Sequence, residues 1–588
     1  MKHTIKLTRN LFKFQKRFYQ GNRYAEGYDS NFPNYYNLNK YSSEITQKKE
    51  RGAAQAMLYS LGLTKDDMNK AQIGVVSMWY SGNPCNSKLN IFSDIISKSI
   101  KTRYMLPMQF NTIGVSDGIS MGTDGMRYSL PSRELIADSI ETVVNAQHYD
   151  GVVCIPGCDK NLPGSLMGIS RLNRPSLIVY GGSMKSTKYK DMNLDIVSAF
   201  ESYGKYMSGK ITEKERLDII QNSCNKGCGA CSGLYTANTM AVCLETLGMM
   251  LPNSSSSSPG TFEKEKECNS IGSVMKNLLE KDIKPSDILT RESFLNAIIM
   301  TYAFGGSTNA VIHLLACANS IGINLVLDDF QKLNHIPVIL NMKPHGEYVM
   351  YDLSKIGGTA RVTKYLIQKG LINGNCLTIT GNTLWENVEG CEDMDFTNQN
   401  LVLPLENPFK SDGHIKILKG NLSPNGCLSK IYKKDKIFRG KACVFDNEND
   451  MVKALNNNEI KTDSFVIIRY QGESIGCPEM LTPTSALIGH FGKDKAPPLA
   501  TDGRFSGGSH GILIAHLPDA YKKDSLTRII KNDDDIEINL SINEINLLVN
   551  TSEIENRLKE YPLKELNISG YLKKFSKLCG TFENGYIT

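Results

Sequence analysis

The sequence predicts an α/β fold in two parts, an N-terminal α/β layered domain and a second domain that is mostly β. The chain has 588 residues, which is too many for one ordinary hydrophobic core. Strand-like and helical segments alternate from about Glu50 to Leu401, a pattern typical of an α/β layered domain. From about Asn407 the chain changes to short β-rich runs separated by Gly, Asn and Asp. We therefore predict a presequence and linker over residues 1–36, an α/β domain over 37–401 and a β-rich domain over 407–588.

The individual elements follow this division in order. The apolar runs IGVVSMWY, DGVVCI and SLIVYGG are predicted strands, and RESFLNAIIMTYAF has the length and apolar spacing of a helix. The serine run from Ser254 to Ser258 lies between two prolines, which predicts a loop rather than a linker between domains. The second domain adds IKILKGNL, ACVFD, SFVIIRY and IEINL as short strands.

The N-terminal segment differs from the rest of the chain in charge. Seven bases precede the first acid, Glu26, and hydrophobic residues interleave with them as an amphipathic helix allows. The long apolar stretch of a secretory signal is absent. We predict an organellar transit peptide and a mitochondrial matrix location, with an untargeted basic tail as the alternative. The bases are Lys2, Lys6, Arg9, Lys13, Lys16, Arg17 and Arg23.

The composition argues against two classes of partner. A net charge of +6, from 67 basic and 61 acidic residues, gives no electrostatic case for binding nucleic acid. No run approaches the roughly 18 uninterrupted apolar residues of a membrane span. The 15 cysteines, in a chain without a secretory signal, favour metal binding, catalysis or burial over a disulfide framework.

Three glycine-rich islands each carry one cysteine in a polar turn: SGNPCNSKL with Cys85, PGCDKNLPG with Cys158 and GACSGLYTANTM with Cys231. Three thiolates from separate loops suit an iron–sulfur cluster with one iron left open, or a zinc ion with one open position. Cys224 and Cys228 form a competing local group with Cys231, but a lone CxxC lacks the second pair of a structural zinc site.

The turn around Cys158 places a soft sulfur ligand beside a hard oxygen ligand and an amine. The run GVVCI ends in Pro156-Gly157, which predicts a buried strand that stops at a turn. Cys158, Asp159 and Lys160 therefore lie at a strand's end, where ligand sites of open α/β sheets gather. A surface loop with one stray cysteine is the alternative interpretation.

Carboxylates occur in similar turns. Asp117 and Asp124 lie in SDGISMGTDGM, Asp159 lies in the turn just described, and Glu479 lies in GCPEML. Hard oxygen ligands spaced this widely indicate one Mg²⁺ ion held by a few carboxylates, substrate and water. Asp124 is better explained as the turn residue of an Asp-Gly pair.

A small-residue loop, TDGRFSGGSHG, carries Ser506 and Ser509 beside Arg504. Such a loop can bring backbone N–H groups and a hydroxyl to an anion. The loop lacks the lysine of a Walker motif. By itself it is therefore only weak evidence for phosphate binding.

These islands together resemble the dihydroxy-acid and sugar-acid dehydratase family. The resemblance runs from about Asn37 to Gly580. It rests on SDGISMGTDGMRYSLPSRELIADSIE, PGCDKNLPG, GACSGLYTANTM, FGGSTNAVIHLLA, KIGG and TDGRFSGGSHG. The forms RYSLPSRE and CDKNLPG favour the dihydroxy-acid branch over the phosphogluconate and aldonate branches.

The resemblance implies a role for each candidate residue. The three island cysteines correspond to the ligands of an iron–sulfur cluster, [2Fe–2S] in the favoured form and [4Fe–4S] in some members. Lys160 corresponds to a lysine that the family can carry carbamylated, and Ser506 to the catalytic base. The residues that correspond to Mg²⁺ ligands, with Lys160 as a further oxygen ligand, are Asp117, Asp159 and Glu479.

The resemblance also implies a reaction and its setting. A 2,3-dihydroxy-3-methyl carboxylic acid loses water to give an enol that becomes a 2-oxo acid, as in valine and isoleucine synthesis. The implied architecture is a C-terminal β-barrel-like domain, an active site between the domains, a homodimer and a cluster supplied by iron–sulfur assembly machinery. A sugar-acid (aldonate) dehydratase and a non-catalytic iron–sulfur paralogue are the alternatives.

Three segments of the second domain depart from the family pattern. QGESIGCPEM is about two residues shorter than the usual glycine-rich run before Glu479. HFGKDKAPPLA carries Pro497-Pro498 in place of a plain apolar strand. LPDAYKKDSLTRII, after His516, lacks the usual Gly-Gly-Pro.

Overall fold

The computed structural model describes residues 38–190, 192–224, 227–431, 437–492, 494–509 and 511–588. The predicted presequence and linker, residues 1–36, lie outside the described residues.

A four-stranded parallel sheet forms the centre of the N-terminal part. Its strands are β1 (Gln72–Ser77), β2 (Leu106–Asn111), β3 (Gly151–Ile155) and β4 (Ser176–Ile178), in the order β2-β1-β3-β4. Every residue of β1 and β3 is buried, which explains why both runs are apolar or small apart from Gln72 at the start of β1. Parallel sheets are covered on both faces by helices, and this sheet confirms the predicted α/β class.

Helices surround this sheet on both faces. A two-stranded hairpin of β5 (Thr187–Tyr189) and β6 (Met192–Leu194) accompanies them. The helices are α1 (Ser43–Thr46), α2 (Gly52–Ser60), α3 (Leu89–Lys101), α4 (Asp117–Ser120), α5 (Ser129–Ala146), α6 (Asn161–Leu172), α7 (Ile196–Met207), α8 (Glu213–Ser223), α9 (Thr236–Thr246), α10 (Phe262–Glu280), α11 (Pro285–Ile288), α12 (Arg291–Phe304), α13 (Asn309–Ser320), α14 (Leu327–Lys332), α15 (Met350–Lys355), α16 (Gly358–Gln368) and α17 (Leu384–Val388).

Helices α5 and α6 pack closely because α6 presents glycines to its neighbour. A Cβ atom at Gly164 would lie 2.8 Å from the carbonyl oxygen of Arg133, and one at Gly168 would lie 3.0 Å from Cβ of Ile140. This contact fixes the start of α6, directly after Lys160, against the start of α5.

The C-terminal part contains a closed barrel of eight strands, so the barrel-like fold implied by the resemblance is confirmed. Its order is β10-β12-β14-β8-β7-β16-β15-β9, with parallel and antiparallel pairs. A separate parallel pair, β11 with β13, lies outside it. The strands are β7 (Ile415–Gly420), β8 (Ser423–Lys430), β9 (Ile437–Phe445), β10 (Ser464–Ile468), β11 (Glu479–Met480), β12 (Leu499–Thr501), β13 (Arg504–Phe505), β14 (Leu513–Ala515), β15 (Asp535–Asn539) and β16 (Glu544–Leu547).

Among the described residues of the C-terminal part there are five α-helices: α18 (Glu448–Asn456), α19 (Thr482–Phe491), α20 (Leu526–Ile529), α21 (Thr551–Glu560) and α22 (Gly570–Leu578). The chain end returns to the N-terminal part, where the buried Arg133 guanidinium donates to the carbonyl oxygens of Gly585 and Tyr586. The two parts are therefore joined by polar contacts of the tail as well as by the chain.

Candidate functional site

The site lies at the carboxyl edge of the parallel sheet. The turn with Cys85 follows β1, Asp117 follows β2, Cys158 to Lys160 follow β3, and Tyr180 follows β4. Since parallel strands end at the same edge, residues far apart in sequence converge there. The predicted position of the Cys158 turn at the end of a buried strand is confirmed.

Three thiols meet at this edge. The pKa of the Cys85 thiol is well above its usual range, first because of hydrogen bonding with Cys158 and Cys231, and then because of burial. All three cysteines are free. Asn161 accepts a hydrogen bond from the N–H of Cys158 at 2.8 Å, and Asn238 donates to the carbonyl oxygen of Cys231 at 2.6 Å. The structure thus brings the three island cysteines together as a donor set that an iron–sulfur cluster fits.

A glycine allows two of these cysteine turns to touch. A Cβ atom at Gly157 would lie 2.6 Å from the carbonyl oxygen of Cys85 and 2.4 Å from the side-chain oxygen of Asn86. Any larger residue at position 157 would push the Cys85 turn away from Cys158.

The predicted oxygen ligands also converge. One carboxylate oxygen from each of Asp117, Asp159 and Glu479 lies within 4.8 Å of the other two. Lys160 lies among them, with Nζ 2.5 Å from oxygens of Asp117 and Glu479 and 3.8 Å from Asp159. Asp117, Lys160 and Glu479 are buried. Buried carboxylates at this spacing require cationic compensation, which suits a divalent cation.

Burial and the charges of neighbouring residues determine the pKa values of Asp117, Asp159 and Lys160. Burial is the main cause that raises the pKa of Asp159 to about 7, and the charges of Asp117 and Glu479 raise it further. Burial also acts to raise the pKa of Asp117, but the charges of Lys160 and Arg504 and the hydrogen bonds from Lys160 and Ser129 together outweigh burial, and the pKa falls. The pKa of Lys160 is raised, because attraction to Asp117 and Glu479 outweighs the cost of its burial.

Arg504 is a site residue that the sequence analysis did not assign. The register of β11 with β13 sets Arg504 beside Glu479, and its Nη1 lies 2.5 Å from the Glu479 carboxylate. Both side chains are fully buried, and Oε2 of Glu479 and Nη2 of Arg504 have no hydrogen-bond partner among the described residues. These two orphaned atoms mark a place for a polar ligand. No local sequence pattern marks this pair, because β11 and β13 contain only two residues each.

Ser506 begins the loop that follows β13. Its N–H donates to the carbonyl oxygen of Met480 at 3.0 Å, and its own carbonyl accepts from the N–H of Ser509 at 3.0 Å. A Cβ atom at Gly507 would lie 2.8 Å from the backbone nitrogen of Thr236. The serine loop of the C-terminal part therefore lies directly against the start of α9, just beyond the Cys231 turn.

Tyr180 lies near the thiols and Asp159. Its ring is buried, and its hydroxyl donates to Asn238 at 2.8 Å. Burial raises its pKa well above the usual range, and the charges of Cys85 and Asp159 add to this effect. Charges from the thiol group and from the carboxylate triad both act on this one tyrosine. The two donor sets therefore lie close together in a single site.

Two other candidates are not part of the two donor sets described above. The Asp124 side chain is 87% exposed and pairs with Arg127 at 3.0 Å, in agreement with its interpretation as a turn residue. Cys224 ends α8, and burial followed by the charge of Cys231 raises its pKa to about 12.

The departing segments of the second domain contact one another and the N-terminal part. In the shortened run, Gly476 has φ +94°, and a Cβ atom there would lie 2.1 Å from the carbonyl oxygen of Arg127. The N–H of Ser474 donates to Asp519 at 2.8 Å, and Lys522 pairs with Glu473. The shortened run thus rests on the segment that lacks Gly-Gly-Pro.

Pro497 and Pro498 precede β12 rather than interrupt it. The carbonyl oxygen of Pro498 accepts a hydrogen bond from the N–H of Val466 at 3.0 Å. A proline before the first residue of a strand leaves the ladder intact.

Family models match both parts of the chain. The model for the dihydroxy-acid/6-phosphogluconate dehydratase N-terminal domain matches residues 70–387, and the model for the C-terminal domain matches residues 400–586. The chain belongs to this dehydratase family, and it is therefore an enzyme of the hydro-lyase class.

Individual relatives cover nearly the whole chain. A dihydroxy-acid dehydratase of Francisella tularensis subsp. novicida is 49% identical over 558 residues, 94% of this chain and 99% of that protein. A mitochondrial dihydroxy-acid dehydratase of Schizosaccharomyces pombe is 50% identical over 562 residues, 94% of this chain and 93% of that protein. The mitochondrial dihydroxy-acid dehydratase AstD of Aspergillus terreus is 49% identical over 560 residues, with the same coverage.

Helix length and polarity bear on membrane insertion. Within the described residues, no helix is both long enough and apolar enough to cross a bilayer.

Proposed function

We propose that this chain dehydrates 2,3-dihydroxy-3-methyl carboxylic acids to 2-oxo acids, with an iron–sulfur cluster and Mg²⁺ as cofactors. The observation that carries the proposal is the turn in which Cys158 of the three-thiol group adjoins Asp159 of the carboxylate triad. The substrate class is supported by the names of the relatives, which cover 94% of the chain.

The cofactors are assigned to two adjoining donor sets. Cys85, Cys158 and Cys231 would hold the cluster, of the [2Fe–2S] type favoured by the resemblance, and Asp117, Asp159 and Glu479 would hold Mg²⁺. When bound, these groups supply a Lewis acid for the C3 hydroxyl and positive charge for the carboxylate and C2 hydroxyl. Carbamylation of Lys160 would turn its amine into a further oxygen ligand.

The protein's own residues supply positioning and proton transfer. Arg504 is paired with Glu479, and its Nη2 group, which has no hydrogen-bond partner among the described residues, can donate to a polar ligand. Ser506, as its alkoxide, takes the C2 proton while the C3–O bond breaks. The departing hydroxide then receives that proton from Ser506 and leaves as water, and the enol that remains becomes the 2-oxo acid. A serine hydroxyl has a high pKa, and positive charge nearby must stabilise its alkoxide. Burial of the surrounding site strengthens that attraction, because the local dielectric is low.

The remaining assignments form part of the same proposal. We assign the chain to the mitochondrial matrix as a homodimer, with its cluster supplied by iron–sulfur assembly machinery. Two relatives described as mitochondrial and the basic segment before Glu26 support the location. Size measurement by light scattering tests the dimer, and import of a fluorescent fusion tests the location.

The decisive experiment measures 2-oxo acid formation from 2,3-dihydroxy-3-methylbutanoate. The full chain is prepared without oxygen, reconstituted with iron and sulfide, and supplied with Mg²⁺. An aldonate is tested in parallel. Turnover of the dihydroxy acid supports the proposal, and preferential turnover of the aldonate replaces it with the sugar-acid alternative. Cluster absorbance without turnover of either acid identifies a non-catalytic paralogue.

A further inference from the structure

We propose that Lys430 is a positioning residue for the reaction, because it holds the loop that carries Ser506. Lys430 is the last residue of β8, and the proposed mechanism assigns it no role. The inference rests on the proposed function, since it concerns the serine assigned there as the base.

The Lys430 ammonium is buried against the serine loop. The residue is 3% exposed, and its Nζ donates to the carbonyl oxygens of Ser509 at 3.0 Å and Gly507 at 3.4 Å. Both acceptors lie within three residues of Ser506. No Asp or Glu of the described residues forms an ion pair with Lys430, so backbone oxygens are its described partners.

Burial of an ammonium without a carboxylate is unfavourable. Desolvation lowers the pKa of Lys430 to about 7. The nearby His414 is also buried, and its pKa is lowered to about 3, first by burial and in part by the charges of Lys430 and Lys410. A methionine of similar length would relieve this cost. Stability therefore gives no reason for a lysine at this position, whereas loop positioning does.

The barrel fixes Lys430 in place. Lys430 pairs with Ile415 of β7 on one side and with Leu513 of β14 on the other. The backbone of a strand that is paired on both sides moves little. Lys430 therefore binds the two carbonyl oxygens of the loop from a rigid element.

The N-terminal part also contacts the loop. Besides its contact with Thr236, a Cβ atom at Gly507 would lie 3.0 Å from Oγ of Ser307. The loop is therefore in close contact with Lys430 and with these two residues, which restricts the movement of Ser506.

The direction of the carbonyls also sets the direction of the amides. In a trans peptide, the C=O and the following N–H point in opposite directions. Since the Gly507 carbonyl points to Lys430, the N–H of Gly508 points away from Lys430. No described residue accepts a hydrogen bond from that N–H. The loop thus presents a donor on the side opposite the lysine.

The test uses Lys430→Met in the full, reconstituted chain. Displacement of the serine is expected to lower kcat by about 10- to 100-fold. KM is expected to change less than about threefold, because substrate binding uses other groups. Cluster absorbance and the unfolding temperature are expected to remain at or above those of the parent. Hydrogen exchange of the segment 499–509 is expected to accelerate, since the carbonyl anchors are lost.

Lys364→Met is the matched control. Lys364 is also buried and donates to a backbone carbonyl, that of Cys391. Unlike Lys430 it also pairs with a carboxylate, that of the exposed Asp393, and it lies on α16 away from the serine loop. This variant is expected to keep the kcat of the parent and the parent's rate of hydrogen exchange in the segment 499–509. Lys430→Gln, which keeps a donor for one carbonyl, is the second variant and should lose less kcat than Lys430→Met.

Each outcome decides the inference. If Lys430→Met keeps kcat, leaves loop exchange unchanged, or loses kcat only together with the cluster and the unfolding temperature, the inference is overturned. If the parent turns over no hydroxy acid, the proposed function fails separately. In that case hydrogen exchange of the segment 499–509 decides alone. Faster exchange in Lys430→Met supports the positioning role, and unchanged exchange overturns it.

Discussion

Gly157→Ala tests whether close backbone approach brings two cluster cysteines together. The added Cβ atom would lie 2.6 Å from the carbonyl oxygen of Cys85, whereas ordinary contacts begin at 3.4 Å. The Cys85 turn must therefore retreat by about 0.8 Å, since the obstacle is backbone and cannot rotate away. Asn86 must move as well, although its side chain donates to the carbonyl of Met78 at 2.8 Å.

The effect on metal binding is expected to exceed the effect on folding. Overpacking of this kind costs about 1–3 kcal/mol, which a domain of this size tolerates. Metal–ligand distances, by contrast, tolerate only about 0.2 Å, so a shift several times larger disrupts the three-thiol set. We expect the Gly157→Ala chain to fold and to lose most of its iron and visible absorbance after anaerobic reconstitution.

Gly118→Ala provides the control for this experiment. Gly118 follows Asp117 in the same site, but a Cβ atom there meets no heavy atom within 4 Å. This variant is expected to bind iron as the parent does. Full iron loading of Gly157→Ala would refute the reasoning, because the Cys85 and Cys158 turns would then tolerate separation.

Three further predictions concern the reacting groups. Ser506→Ala is expected to lower kcat by at least about 100-fold with an unchanged visible spectrum; turnover near the parental rate contradicts its assignment as the base. Arg504→Gln leaves Glu479 with less compensation and is expected to cost about 3–5 kcal/mol of unfolding free energy in denaturant titrations. As a control, Arg127→Gln, which breaks the exposed pair with Asp124, is expected to cost less than about 1 kcal/mol. If both variants lose the same free energy of unfolding, burial of the Glu479–Arg504 pair does not matter. In the folded state the pKa of Asp159 is about 7, above its usual 3.8. Its contribution to the free energy of unfolding is therefore fully present below pH 3.8 and is lost as the pH rises through 7. Metal-free protein should therefore lose up to about 4 kcal/mol over this range, and Asp159→Asn should remove that slope in melts recorded with a chelator.

The sequence was most informative where a strand end is marked by local chemistry. GVVCI followed by Pro-Gly predicts both the burial of β3 and the exit turn that carries Cys158, because each depends on neighbouring residues. The approach of Cys85 and Cys231 to that turn depends on sheet order. It followed from the family resemblance rather than from any local pattern.

The part that the sequence did not predict depends on long-range pairing. The strands β11 and β13 contain two residues each, too few for a period-two pattern, yet their register creates the Glu479–Arg504 pair. Lys430 lies outside the strands predicted from the sequence, and no local pattern distinguishes it from other lysines. Only barrel closure, which pairs β8 with β14, places it under the serine loop.

The contact between the two departing segments determines what can be exchanged between this enzyme and its relatives. Ser474 and Glu473 of the shortened run bind Asp519 and Lys522 of the segment that follows His516. Replacing either segment alone would leave a buried carboxylate or a lysine without its counterpart. The two segments therefore form one transferable unit, and a chimera that carries both should keep the Glu479 strand in register where a single-segment chimera loses it.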